Sequence, residues 1–202
     1  MIRPPLISRW ILSASIHPVD RDEAQGGNGL GLSPDWLSTH DAGISAGLQV
    51  LNFFNVGGFE PISSESVILR TDIKVEIEGN PGACRNSVIV LIGESGRVSV
   101  PFSIPGCSAQ LYLVAGNKEV SGRDNDLSSL GTDLSVWKSI RIGIKDRLVF
   151  VEIEGKNTYQ VAYSEEIGDI IGLRYRFQGK GRIRNVSLAR GAGEVVLEGF
   201  SN

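Results

Sequence analysis

Residues 137–188 decide the fold. They read Trp137-Lys-Ser-Ile-Arg-Ile-Gly-Ile-Lys145, Asp146-Arg147, Leu148-Val-Phe-Val-Glu-Ile-Glu-Gly155, a segment from Asn157 to Tyr163, and Asp169-Ile-Ile-Gly-Leu-Arg-Tyr-Arg-Phe-Gln-Gly-Lys-Gly-Arg-Ile-Arg-Asn-Val-Ser-Leu188. Ile140, Ile142 and Ile144 alternate with Arg141, Gly143 and Lys145. Ile171, Leu173, Tyr175 and Phe177 alternate with Gly172, Arg174 and Arg176. A two-residue period places one set of side chains on a buried face and the other in water, which is the pattern of antiparallel strands with one wet side. The breaks at Asp146-Arg147, Gly155-Lys156-Asn157 and Gly179-Lys180-Gly181 suit hairpin turns, where glycine and asparagine accept positive φ.

Working outward, Ser66 to Glu78 forms a long strand with Val67, Leu69, Thr71, Ile73, Val75 and Ile77 on one side and Asp72, Lys74, Glu76 and Glu78 on the other. Residues 46–59 hold an apolar strand followed by a glycine turn. Gln110 to Ala115 and Glu194 to Phe200 are further strands, and a polar loop is expected from Gly116 to Thr132. A chain of 202 residues with 25 glycines and one methionine suits many turns between short strands better than a helical bundle. The expected fold is all-β, with eleven or so strands in a two-sheet antiparallel jelly-roll sandwich. Residues 46–202 would form the sandwich, and residues 1–45 an arm and glycine-rich loop packed on it.

Two cysteines, Cys84 and Cys107, flank two apolar segments with Glu94-Ser95-Gly96 near the midpoint. A hairpin there brings them opposite each other, so a disulfide is expected, with two reduced core cysteines as the alternative. A disulfide points to the periplasm or the cell exterior. Because Met1 to Ile16 lacks the apolar length of a signal peptide, an export signal would lie upstream in a longer exported or membrane-anchored protein. No run approaches the ~20 apolar residues of a membrane span, so no membrane insertion by this segment is expected. A net charge of −3 gives no electrostatic case for nucleic acid or an anionic membrane.

The same closing stretch carries a resemblance. A tryptophan-led strand, a second strand ending in a small-residue turn, a third bearing an aromatic, and a return strand of the form small-x-apolar-x-Asn-apolar (Gly181, Ile183, Asn185, Val186) resemble the concanavalin A-like, laminin G-like jelly-roll superfamily over residues 45–200. The resemblance implies the sandwich and a loose class of ligands. It also implies calcium as a candidate at a sandwich rim, where Asp124 and Asp126, with Asn125 and Asp133, supply oxygen donors; the other reading is an Asx-rich turn bonding its own backbone. Glucanases of that superfamily use Glu-x-Asp-x-Glu. The twice-occurring Val-Glu-Ile-Glu-Gly (75–79 and 151–155) lacks the third carboxylate, so a glycan-cleaving hydrolase is the weakest of the functional readings.

Other chemistry finds little support. The run Gly26-Gly27-Asn28-Gly29-Leu30-Gly31 is followed by Pro34 rather than by the helix a phosphate cradle needs. Ser33 and Pro34 suit the start of a short helix through Ser38. The two histidines, His17 and His40, make no zinc pattern, and no Gly-x-Ser-x-Gly nucleophile motif occurs. Carbohydrate recognition wants an aromatic plus amide or guanidinium groups. Tyr112, Trp36, Arg174, Arg176 and Gln178 are the candidates, each with packing or solvation as the alternative, while Trp137 is expected to pack at the start of a core strand. The function expected is a non-catalytic carbohydrate-binding module; a protein-interaction domain with a surface-protein partner is the second reading.

Overall fold

The structure is a computed structural model and describes residues 10–14, 37–38, 48–55, 62–76, 84–191 and 193–199. Among the described residues fourteen strands, numbered in chain order, build two antiparallel sheets. The first contains β1 (Trp10–Ala14), β3 (Leu48–Asn55), β5 (Asn86–Gly93), β6 (Arg97–Ser103), β7 (Tyr112–Ala115), β8 (Lys118–Ser121) and β12 (Ile170–Gln178), in the order β1-β3-β12-β5-β6-β7-β8. The second contains β4 (Ser66–Val75), β9 (Lys138–Lys145), β10 (Leu148–Ile153), β11 (Lys156–Ala162), β13 (Gly181–Arg190) and β14 (Glu194–Gly199), in the order β11-β10-β9-β4-β13-β14, and β2 (Leu37–Ser38) also pairs with β13. This is the expected jelly-roll β-sandwich.

The apolar set of each strand turns inward. Val67, Leu69, Ile73, Ile140, Ile142, Ile144, Val149 and Val151 of the second sheet meet Leu51, Phe53, Ile89, Leu91, Val100, Phe102, Leu173 and Phe177 of the first, all nearly or wholly buried. Tyr175 packs its ring parallel to Phe177 at 6.4 Å and edge-on to Phe53 at 6.1 Å, geometries that suit the ring quadrupoles. Cys84 and Cys107 are bonded, with Cα atoms 5.6 Å apart, at the open end of the β5–β6 hairpin. No helix among the described residues is long and apolar enough to cross a membrane.

Several local expectations need correction. Ile171 does not join Leu173, Tyr175 and Phe177: the β12–β5 register shifts between Ile170 and Gly172, so Ile170 takes the inward place at 1% exposure and Ile171 is 38% exposed. Such a bulge adds one residue to one strand and moves the alternation by one step. The β10–β11 turn is formed by Glu154 and Gly155, both at positive φ, and β11 begins at Lys156. The loop expected over 116–132 contains β8, whose Val120 is buried, and a single 3-10 turn at Ser128–Leu130. Leu37 and Ser38 pair with Ile183 and Arg182 as strand, not helix; backbone pairing with β13 prevails there over the local capping signal. Trp137 is half-buried and lies outside the core, with the Arg184 guanidinium 4.4 Å from its ring centroid.

The return strand β13 explains its own sequence. The β13–β4 register shifts between Arg184 and Ser187, and Asn185 sits at φ 51° within that bulge. Ile183 and Val186, three residues apart, therefore both point inward and are buried. At Gly181 a Cβ would lie 2.1 Å from Phe177 Cδ2, so only glycine lets the strand pass that ring.

Candidate functional site

With the inward positions spent on the core, the outward positions of the first sheet are the ones open to chemistry. Cross-strand register fixes which of them neighbour one another. Arg174 on β12 stands between Asn52 on β3 and Val90 on β5, and Val90 faces Ser99 on β6. One step along, Arg176 stands between Val50 and Val88, and Val88 faces Pro101. On β7, Tyr112 pairs with Ser121 and Val114 with Glu119. Arg174, Arg176, Gln178 and Tyr112 therefore share one face. Arg174 and Arg176 are about 7 Å apart along β12, and Tyr112 is three strands, about 14 Å, across the sheet from them.

Asn52 anchors this face. Only 3% exposed, it accepts a hydrogen bond from Arg174 Nε at 2.6 Å through Oδ1. A buried amide carbonyl fixes the plane of the guanidinium, and the two terminal amino groups of Arg174 form no hydrogen bond or ion pair among the described residues. Arg176 is exposed and forms no ion pair among the described residues. Gln178 is exposed, and its Oε1 accepts from the Asn86 N–H at 2.9 Å, tying the strand end to β5. Val88, Val90 and Val114 point away from the core yet are only 9%, 8% and 5% exposed. An arginine opposite a valine can lay its methylene stem over it and keep the charged head in water.

Tyr112 is 48% exposed and donates its hydroxyl hydrogen bond to Glu119 Oε2. That bond, with some desolvation and the Glu119 charge, raises the phenol above its ordinary value, while Arg97 pulls it down. The outward face thus carries Arg97, Arg174 and Arg176 against one carboxylate, Glu119, among the described positions of these strands.

The remaining candidates fall elsewhere. Trp36 lies outside the described residues, as do His17, His40 and Glu78. Asp126 Oδ1 accepts from the Ser128 N–H at 2.8 Å, and Asn125 Nδ2 donates to Ser121 O at 3.0 Å. Ser128, through its hydroxyl and its N–H, holds the Asp126 carboxyl below the usual range. Asp124 donates its N–H to Ser121 O. These are the bonds of a turn that satisfies itself, and no three metal-binding side chains converge among the described residues. Of the described glutamates of the repeated pentapeptide, Glu152 lies on the outward side of the second sheet, Glu76 just past the end of β4, and Glu154 in the β10–β11 turn. Glu76 pairs with Arg182, Glu152 with Arg141 at 2.7 Å, and Glu154 Oε1 accepts from the Ser139 N–H at 2.7 Å. Carboxylates so engaged have no free acid–base partner across a cleft.

Asn52, Arg97 and Glu119 were not among the residues singled out from the sequence. Asn52 had a readable signal, a polar side chain inside the apolar run Leu48–Asn55. Arg97 and Glu119 had none, because their place beside Tyr112 depends on which strands pair.

No protein-family model matches the sequence, and no curated protein matches it. Among solved structures the chain is similar to the marine PL7 alginate lyase AlyA1 of Zobellia galactanivorans, at 12% identity and a TM-score of 0.52, over 92% of this chain and 96% of that one. It is also similar to the botulinum neurotoxin serotype D binding domain, at 10% identity and a TM-score of 0.53, over 89% of this chain and 42% of that one. The chain spans 14% of the length of a sialidase and 42% of that of the botulinum binding domain with which it aligns. At such identities the likeness shows the jelly-roll sandwich and carries no chemistry with it.

Proposed function

We propose that the chain is a non-catalytic carbohydrate-binding module of the concanavalin A-like type, in an exported or cell-surface protein, and that the outward face of the first sheet receives the glycan. The observation that carries this reading is the buried Asn52 amide orienting Arg174 within a face that also presents Arg176, Gln178 and Tyr112. An aromatic edge and a fixed guanidinium about 14 Å apart on a largely apolar floor call for an oligosaccharide rather than a single ring. Because the terminal amino groups of Arg174 can grip a carboxylate or sulfate in bidentate fashion, and Arg176 stands unpaired beside it, acidic sugars fit this face best. The bonded cysteines support an oxidising compartment. The engaged glutamates speak against a hydrolase.

Binding of the purified chain to a broad glycan array, with and without calcium, tests the reading. Acidic oligosaccharides should bind in a salt-sensitive way, and Arg174→Ala and Tyr112→Ala should each weaken them by about 10-fold or more, the scale of one lost charged hydrogen bond. If no glycan binds, the face belongs to a protein partner.

A further inference from the structure

One register row crosses the candidate face from end to end. Asn52 on β3 faces Arg174 on β12, Arg174 faces Val90 on β5, Val90 faces Ser99 on β6, Ser99 faces Val114 on β7, and Val114 faces Glu119 on β8. Residues directly opposite across antiparallel strands project from the same side of the sheet. These six side chains therefore form one line on the outward surface. At one end the Asn52 amide holds the Arg174 guanidinium, and at the other stands the exposed carboxylate of Glu119. Four strand spacings, about 19 Å, separate the two charges, and the three residues between them carry none.

Neither charge is spent within the protein. Arg174 and Glu119 form no ion pair among the described residues. Glu119 Oε2 accepts from the Tyr112 hydroxyl, and Oε1 forms no hydrogen bond among the described residues. An ionised carboxylate only accepts, so the free oxygen can take a hydroxyl of a ligand but repels an anion. The same bond ties Tyr112, the exposed aromatic of this face, to that carboxylate. The positions flanking the row sharpen the contrast. Arg176 lies two residues along β12 from Arg174, and Arg97 two residues along β6 from Ser99; both are exposed. Cationic charge thus covers β12 and β6, and the carboxylate stands alone at the β8 edge of the face.

We propose, on the carbohydrate reading of this face, that the row reads where the charge sits along a glycan, with Glu119 as the specificity-determining residue. The face takes an oligosaccharide whose acidic group lies at one end, over Arg174, and whose other end is neutral and hydroxyl-bearing, against Glu119 and Tyr112. A chain with a carboxylate on every ring is disfavoured, because laying it along the row brings an anion onto Glu119. Binding therefore has one direction, from the acid at β12 to the neutral ring at β8.

The glycan array, read at low salt on the parent and on Glu119→Gln, tests this, with calorimetry on tetraglucuronate as the uniformly charged probe. Bound glycans should carry their acid at one terminus, and the tightest of them should bind the parent about 3-fold or more tightly than tetraglucuronate, the scale of one like-charge contact in water. Glu119→Gln should narrow that preference by about 3-fold or more, and 1 M salt, with a screening length of about 3 Å, should narrow it in the parent. Tyr112→Phe breaks the same hydrogen bond but keeps the charge, so it should weaken both classes of glycan alike. Thermal melts of each variant establish that it is folded. If the array binds glycans but tetraglucuronate binds the parent as tightly as the end-charged ones, or Glu119→Gln keeps the parent's preference, the role of Glu119 is overturned and the carbohydrate reading stands. An array with no bound glycan overturns both.

Discussion

Replacing Tyr175 by phenylalanine should stabilise this protein. The Tyr175 side chain is wholly buried between Phe53 and Phe177, and its hydroxyl has no hydrogen-bond partner among the described residues. Burial pushes the phenol far above its ordinary value of 10.0; the Thr71 hydroxyl works the other way, but not from a position that makes a bond of good geometry. A buried polar group left unsatisfied costs about 1–3 kcal/mol. Its removal leaves a void smaller than a methyl group, which costs about 1 kcal/mol at most. The net expectation is a gain of about 0.5–2 kcal/mol, or roughly 1–8 °C in Tm for a chain of this size. Differential scanning calorimetry of Tyr175→Phe beside the parent reads it directly, and Thr71→Val completes a double-mutant cycle. Alkaline pH supplies a second readout. Above pH 10 the unfolded phenol loses its proton and the folded one keeps it, so Tyr175 takes about 1.4 kcal/mol from the parent per pH unit. The advantage of the phenylalanine variant should therefore be constant below pH 10 and widen above it. A loss of stability larger than about 0.5 kcal/mol at neutral pH would refute the reasoning, because the hydroxyl would then have a partner.

Three further substitutions follow from the same structure. Replacing both Cys84 and Cys107 by alanine should cost about 3 kcal/mol by loop-closure entropy, given a sequence separation of 23, and chemical denaturation of oxidised and substituted protein measures it. Gly143→Ala should cost about 1–3 kcal/mol, because the new Cβ would fall 1.8 Å from Phe150 Cζ on the neighbouring strand; adding Phe150→Ala should recover most of that loss in urea melts. Asn52→Ala should cost about 1–2 kcal/mol and also weaken acidic-glycan binding by releasing Arg174, so stability and affinity must fall together in the same variant.

Strand identity was legible where the inward set kept strict alternation. Val67 through Val75 and Ile140 through Ile144 both lie as the two-residue period requires. The Asp146-Arg147 turn was legible too, both residues adopting positive φ without glycine. What the period could not show is where it breaks. Ile170 and Ile171 are chemically the same residue, and only the bulge against β5 decides which is buried. The candidate face was half legible: Arg174, Arg176 and Gln178 share a side by simple alternation, and Tyr112 follows from the inward places of Leu111 and Leu113. That Tyr112 and Arg174 belong to one surface follows only from the sheet order, which pairs β12 with β5 across some 80 residues of chain.

The place of β12 in the first sheet also sets how the chain must fold. β12 lies between β3 and β5, both made much earlier, so neither strand has its full set of partners until residue 178 has been synthesised. From the end of β5 at Gly93 that is 85 residues, or roughly 4–17 s of translation at about 5–20 residues per second. Throughout that interval the open edges of Leu48–Asn55 and Asn86–Gly93 present apolar strands to any other nascent chain. A slow, high-contact-order folder follows, with a window of aggregation risk that closes only when this late strand inserts between its two early neighbours.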